Sequence, residues 1–200
     1  AIGAQNNTIE DSKFINNSAG DDGGAINWEG NVGTIKNITA YNNSGISFND
    51  PVTGQSTSNG GTICITGNNV TISDSNFTLS SVLLGGTGEN DKKPYGGAIF
   101  LTGNYTKIVN SSFDNCYCPD DAGAIYVIGN YTFIDNCTFE NCHSNENGGV
   151  MYIVGDYCKL YNSTITNNYA GNDGGAISWQ GDHGIVYNIT CTNNRAVSII

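Results

Sequence analysis

The sequence has few charged residues and little of the composition that helical proteins need. Only 12% of its 200 residues are charged, with 7 Lys and Arg against 18 Asp and Glu, and it contains one Met and three Pro. Helical bundles and coiled coils need Ala, Leu, Glu and Lys at helical spacing, and nucleic-acid binders need basic residues to neutralise phosphates. The composition therefore excludes both classes. No apolar run reaches the roughly 18 residues of a membrane-spanning helix, so we expect no membrane insertion by this segment.

Turn-forming residues are abundant instead, and they recur at a fixed spacing. The tetrad Gly-Gly-Ala-Ile, or a near copy, occurs six times, and its last three intervals are each 26 residues. The first two intervals are 37 and 36 residues, which are explained by insertions at about 46–58 and 82–93. The second position of the pair is a glycine in every copy: Gly24, Gly61, Gly97, Gly123, Gly149 and Gly175.

Each repeat predicts three short strands, because apolar and other residues alternate within 98–101, 105–108 and 111–114. Four columns of equivalent apolar positions, exemplified by Ile134 and Phe139, should point inward and stack on their counterparts in the next coil. The sequence therefore predicts an all-β protein, a right-handed parallel β-helix with three strands per 26-residue coil and about seven coils.

Asparagine marks the two turns that follow strands in each repeat, as at Asn136 and Asn141. Asn tolerates the left-handed backbone conformation, and stacked Asn side chains can bond to each other along the axis. Residues 1–200 are interpreted as a single β-helix domain. The chain begins within a strand and ends near the next expected Gly pair, so we expect a fragment of a longer array, or end-to-end self-association.

Two aromatic columns occur in three consecutive coils, at positions where the alternation directs side chains outward. We predict that they form one exposed strip that binds a ligand, because contiguous exposed apolar surface marks binding sites. Sugar CH faces could stack on its tyrosine rings, and cross-strand stabilisation of the sheet is the alternative role. The predicted ligand-binding residues are Phe100, Tyr105, Tyr126, Tyr131, Tyr152 and Tyr157. The two insertions are the second candidate site, and the net charge of −11 disfavours acidic partners.

Seven cysteines are present. Cys116 and Cys142 occupy equivalent positions in adjacent coils, within disulfide range of each other, so a disulfide between them is one expectation. Cys118, Cys137, Cys158 and Cys191 should be small buried or turn residues. We expect Cys64 to point outward, in line with Phe100.

An enzyme and a calcium site are the chemical alternatives. Asp114 and Glu140 should project side by side, as the carboxylates of a retaining glycosidase do, but exposed acids on an acidic rod are usually only solvated. Acidic residues also precede the Gly pairs, at Asp21, Asp22, Asp120, Asp121, Glu146 and Asp173. They could hold calcium or simply form turns, and the sequence predicts no other cofactor.

The repeats resemble the Gly-Gly-Ala-Ile and Phe-x-x-Asn repeats of chlamydial polymorphic membrane proteins. They are even more similar to adhesin-like repeat proteins of methanogenic archaea, on units such as 130–142 followed by Gly148 and Gly149. The chain departs from the Phe-x-x-Asn pattern at Cys116 and Cys142. The resemblance implies an extracellular β-helical rod that is displayed on the cell surface and used in attachment. We expect the rod to be non-enzymatic and to bind a carbohydrate or protein on another cell surface. A structural spacer or filament subunit is the alternative, and a polysaccharide-active enzyme is less favoured.

Overall fold

The computed structural model describes residues 5–50, 54–56, 58–85 and 93–198, which form short strands joined by turns. Within these ranges no helix is long and apolar enough to cross a membrane. Equivalent residues of successive repeats are paired in parallel register, as Ile99 is with Ile63 on one side and Ile125 on the other. The chain therefore winds as a right-handed parallel β-helix of seven coils, as predicted.

The first sheet contains the strands that follow the Gly pairs, and the second contains the strands after the next turn. The strands of the first sheet are Ile26–Trp28, Ile63–Ile65, Ile99–Leu101, Ile125–Val127, Met151–Ile153 and Ile177–Trp179. The strands of the second sheet are Gln5–Glu10, Asn31–Lys36, Val70–Ser73, Lys107–Val109, Phe133–Asp135, Lys159–Tyr161 and Ile185–Tyr187.

The third and fourth sheets complete each coil. The strands of the third sheet are Lys13–Ile15, Thr39–Tyr41, Asn76–Thr78, Ser112–Asp114, Thr138–Glu140, Thr164–Thr166 and Thr190–Thr192. The strands of the fourth sheet are Ser18–Ala19, Ser44–Asp50, Ser81–Leu84, Tyr117–Cys118, His143–Ser144, Tyr169–Ala170 and Arg195–Ala196.

The fourth sheet corrects the predicted three strands per coil to four. Most of its strands are two residues long, as Tyr117–Cys118 is, and two residues are too few to show an alternation. The first insertion lengthens one strand of this sheet, Ser44–Asp50, which pairs antiparallel with Gly54–Ser56. This hairpin lies within one repeat, so it leaves the parallel stacking of the coils unchanged.

The core consists of inward columns that run along the axis, as predicted. Phe77, Phe113 and Phe139 stack with ring centroids 4.8 and 4.9 Å apart, the spacing of neighbouring strands. These rings and the adjacent isoleucine column are fully buried. At the last coil the equivalent residues Val186 and Cys191 are exposed, because in this structure only one coil packs against them.

The asparagine ladders are confirmed. Asn136 and Asn141 have φ values of 51° and 54°, in the left-handed region that Asn tolerates. The side-chain amide of Asn136 donates to the side-chain oxygen of Asn110 at 2.9 Å, and Asn141 donates to Asp114 at 3.1 Å. The ladders therefore fix the turns of successive coils in register.

Candidate functional site

The predicted aromatic strip divides into a covered column and an exposed column. Phe100, Tyr126 and Tyr152 are only 8%, 8% and 9% exposed, so the prediction that they present accessible rings is wrong. The alternation does direct them away from the main core, but they form a second cluster beneath Tyr95. The Tyr95 ring lies 4.4 Å from that of Tyr126. We call Phe100, Tyr126, Tyr152, Tyr95 and Cys64 the covered cluster.

Cys64 belongs to the same cluster, in register with Phe100. It points out of the main core as predicted, yet it is fully buried. Burial raises the pKa of its thiol, and the neighbouring carboxylate of Asp22 raises it further. Cys64 is therefore a neutral packing residue of the covered cluster.

The exposed column consists of Tyr105, Tyr131 and Tyr157, which we call the tyrosine ladder. Their exposed fractions are 52%, 44% and 42%. Their rings stack face to face, with centroids 4.8 and 5.0 Å apart and interplanar angles of 5° and 8°. His183 extends the ladder by one coil, at 4.6 Å and 9° from Tyr157. His183 occupies the same position in the repeat as the three tyrosines, although it was not among the predicted binding residues.

The backbone beneath the ladder is left-handed, with φ between 57° and 60° at Tyr105, Tyr131 and Tyr157. This conformation costs an ordinary residue about 1–2 kcal/mol, whereas Asn adopts it readily. Asn occupies the same position in two other coils, at Asn6 and Asn69. Val32 and His183 also occupy it, with φ values of 54° and 57°. The turn itself therefore does not require tyrosine.

Stacking determines which parts of the ladder a partner can reach. The rings of Tyr131 and Tyr157 are stacked on both sides, so a sugar ring cannot lie on their faces. Within the described part of the chain Tyr105 stacks on Tyr131 alone, and sugar stacking there stays a prediction. The accessible parts are the ring edges and the phenol hydroxyls, which repeat at the coil spacing of about 4.8 Å. Ile128 adds an exposed apolar side chain one turn away. The ladder therefore offers a periodic row of apolar edges and hydrogen-bonding groups.

A second asparagine ladder holds this corner of the rod rigid. The side-chain oxygen of Asn104 accepts a hydrogen bond from the backbone amide of Asn130, and that of Asn130 accepts one from Asp156, both at 2.8 Å. Each of these residues immediately precedes a ladder tyrosine in the chain. The ladder is consequently presented on a fixed backbone rather than on a mobile loop.

The second insertion ends against the covered cluster. Lys93 donates to the Oδ1 atom of Asp120 at 2.9 Å. Asp120 is 3% exposed, and its Oδ2 atom has no hydrogen-bond partner within the described residues. Burial raises the pKa of this carboxyl to about 6, and the Lys93 bond opposes the shift without cancelling it. Much of the insertion, at 86–92, lies outside the described residues, as does 51–53 in the first insertion.

Several of the predicted acidic residues are held by strand pairing or by hydrogen bonds between coils. Asp114 and Glu140 are paired in register on the third sheet, and Asp114 also accepts from Asn141. Asp22 accepts from both the backbone and the side chain of Asn59, and Asp121 binds the next coil in the same way. Among the described residues, no group of three or more His, Cys, Asp or Glu is suited to a metal ion.

The seven cysteines are free thiols in this structure, and six are buried. Cys116 and Cys142 occupy an inward column, and their thiols donate to the carbonyl oxygens of Asp114 and Glu140. Cys137 donates to the carbonyl oxygen of Asp135. This is the bond that a serine makes at the equivalent position of other coils. These cysteines thus act as small buried residues here, and the disulfide stays a prediction.

Comparisons with known proteins identify the fold. A family model described as a right handed beta helix region matches residues 96–200, which is more than half of the chain. Comparison with curated proteins and with solved structures returned no match.

Proposed function

Since this chain belongs to the right-handed β-helix family, we propose that it is a non-enzymatic, adhesin-like module of the extracellular cell surface. It acts as a rigid rod that presents a binding surface to a glycan or a protein of another cell. The likeness of its repeats to those of adhesin-like and polymorphic membrane proteins supports this location. The lattice of hydrogen bonds between coils supports the rigidity.

The observation that carries the proposal is the placement of three exposed tyrosines at left-handed turn positions. A protein under selection for stability alone could use Asn at these positions, as it does at Asn6 and Asn69. Tyrosine combines an apolar ring with a hydrogen-bonding hydroxyl and is therefore well suited to recognition. The ladder is thus favoured over the two insertions as the binding surface.

A glycan fits the ladder better than other partners do. A linear polysaccharide repeats its hydroxyls and CH edges at intervals comparable to the coil spacing of about 4.8 Å. The exposed hydroxyls and ring edges of Tyr105, Tyr131 and Tyr157 repeat in the same way. A chain with a net charge of −11 repels anions over a distance, so an uncharged glycan is favoured over an acidic one.

A structural spacer is the second candidate function, because ring stacking along the axis also joins neighbouring coils. Such aromatic pairs contribute about 0.5–1.5 kcal/mol each, which is comparable to the cost of the left-handed backbone. The spacer accounts for the stacking of the rings. It gives no reason for leaving their edges and hydroxyls exposed in three consecutive coils.

An array of neutral, acidic and amino oligosaccharides together with candidate surface proteins tests the proposal. The wild-type chain should bind a neutral glycan, and the triple variant Tyr105→Asn, Tyr131→Asn, Tyr157→Asn should lose at least about tenfold in affinity. Asn suits the left-handed turn, so the variant should fold. Tyr41→Thr removes an exposed tyrosine elsewhere, at a column that holds Thr78, and should bind normally. Unchanged binding by the triple variant would favour the insertions, and absence of any ligand would favour the spacer.

A further inference from the structure

A groove on the fourth sheet lies apart from the tyrosine ladder. It has a volume of about 530 Å³, within the range of roughly 300–1,000 Å³ of small-molecule sites. The side chains along its walls include an imidazole, a phenol, two amides, a carboxylate and a hydroxyl: His143, Tyr169, Asn145, Asn172, Glu146 and Ser198. We call it the His143 groove.

Gly171 lines the groove at a close contact between two coils. A Cβ atom at this position would approach the carbonyl oxygen of Asn145 to 1.9 Å, so the backbone of the adjacent coil fills the space that a side chain would need. The equivalent residues in the adjacent coils are Asn145 and Val197. The groove therefore owes its shape to the side chains that line it, and not to a gap at Gly171.

The aromatic rings beside the groove are arranged differently from those of the tyrosine ladder. His143 packs against Tyr117 at 5.5 Å and 89°, and against Tyr169 at 4.8 Å and 72°. Both angles are far from parallel, so the rings of this column do not stack face to face as the ladder tyrosines do.

The polar groups around the groove are held by hydrogen bonds and carry little positive charge. The side-chain amide of Asn145 donates to the phenol oxygen of Tyr117 at 3.0 Å, and Asn172 donates to the side-chain oxygen of Asn147 at 3.1 Å. Burial lowers the pKa of His143, so its imidazole is neutral at pH 7. Glu146 then makes the lining acidic, which disfavours an anionic ligand.

We propose that the His143 groove binds one uncharged sugar ring of a glycan. The inference rests on the proposed glycan-binding function and adds a second contact point to it. A pyranose ring has an apolar CH face rimmed by hydroxyls that both donate and accept. The groove is lined by the rings of His143 and Tyr169 together with amides, a carboxylate and a hydroxyl, which matches that pattern. It has too few apolar walls for a lipid or another hydrophobic ligand.

The two histidines of the chain allow the two contacts to be measured separately. His143 lies in the groove, and His183 ends the tyrosine ladder. Neutral oligosaccharides of glucose, galactose and N-acetylglucosamine are titrated into the full chain while the imidazole C–H signals are followed by NMR. A His183→Asn variant assigns the signals. The expected result is a saturable shift of the His143 signal.

Each outcome separates this inference from the proposed function. A shift of His183 with no shift of His143 overturns the groove and leaves the ladder standing. A shift of His143 alone supports the groove and contradicts the ladder. Absence of both shifts with every sugar contradicts both assignments.

Serine substitutions provide the matched variants. Ser44 and Ser81 occupy the column of His143 and Tyr169 in other coils, so Tyr169→Ser should fold normally. It should weaken sugar binding at the groove by about tenfold. Tyr187→Ser changes an exposed tyrosine outside the groove lining, in a column that holds Ser73, and should stay within about twofold of wild type. Equal losses in both variants would mean that the effect is structural, and the groove would be wrong.

Discussion

The covered cluster and the tyrosine ladder occupy the same three coils and lie on opposite sides of one glycine corner. Both columns point away from the main core, but Tyr126 is packed beneath Tyr95, whereas Tyr131 is almost half exposed. One column therefore contributes to stability by excluding water, and the other keeps its ring edges and hydroxyls accessible. Outward direction and exposure are separate properties, and only exposure makes a binding surface.

The largest loss of stability should come from the inward phenylalanine column, with which the outward columns are compared. Phe139→Ala should lower the free energy of unfolding by about 3–5 kcal/mol, because it removes a fully buried ring and leaves a cavity. Urea unfolding followed by circular dichroism measures the loss. A loss below about 1 kcal/mol would contradict the buried position of this column.

Tyr126→Ala tests whether the covered cluster is a second core. The ring is 8% exposed and stacks on Tyr152 at 5.1 Å, so we expect a loss of about 2–4 kcal/mol in the same experiment. Tyr157→Ala is the matched control from the ladder and should lose about 1 kcal/mol or less. Equal losses would remove the distinction between the two columns.

The stability of the protein should depend on pH through Asp120, which binds Lys93 next to Tyr95 and the covered cluster. Burial raises its pKa from 3.8 to about 6, so the folded protein favours the protonated carboxyl. The protonated carboxyl of Asp120 therefore adds to the free energy of unfolding. This contribution is complete below pH 3.8 and is lost as the pH rises through about 6. The raised pKa of Lys93 reflects the attraction of the same pair, which offsets part of this loss.

The corresponding measurement is urea unfolding of the wild type and Asp120→Asn at several pH values. Between pH 4 and pH 7 the wild type should lose about 1–2 kcal/mol relative to the variant. A difference that is constant with pH would show that Asp120 titrates normally. The comparison with the variant removes the effect of the other acids, which is common to both proteins.

The smallest stability effect should come from the ladder itself. Tyr131→Asn relieves the left-handed backbone of a bulky residue and removes two ring stacks, and these terms oppose each other. We expect the free energy of unfolding to stay within about 1 kcal/mol of wild type. A larger loss would favour the spacer, since the ladder would then be a main source of cohesion between coils.

The repeat predicted most of the fold, because a 26-residue period aligns every inward column and every asparagine turn. It missed the fourth sheet, whose two-residue strands show no alternation. It also missed that Tyr95 packs over Phe100 and Tyr126, because periodicity gives the direction of a side chain but not what packs above it. Tyr95 lies outside the strands from which the strip was predicted. The His143 groove was missed because side chains of three coils line it, and periodicity places them in columns without showing that they enclose a space.

Nitration of tyrosines by tetranitromethane, located by peptide mass spectrometry, tests most directly whether the exposed column is the binding surface. Without a ligand, Tyr105, Tyr131 and Tyr157 should react readily. Tyr126 should react slowly, because it is buried and burial raises its pKa. A bound neutral glycan should protect the three ladder tyrosines. If a glycan binds and leaves all three as reactive as before, the tyrosine ladder is not the binding surface.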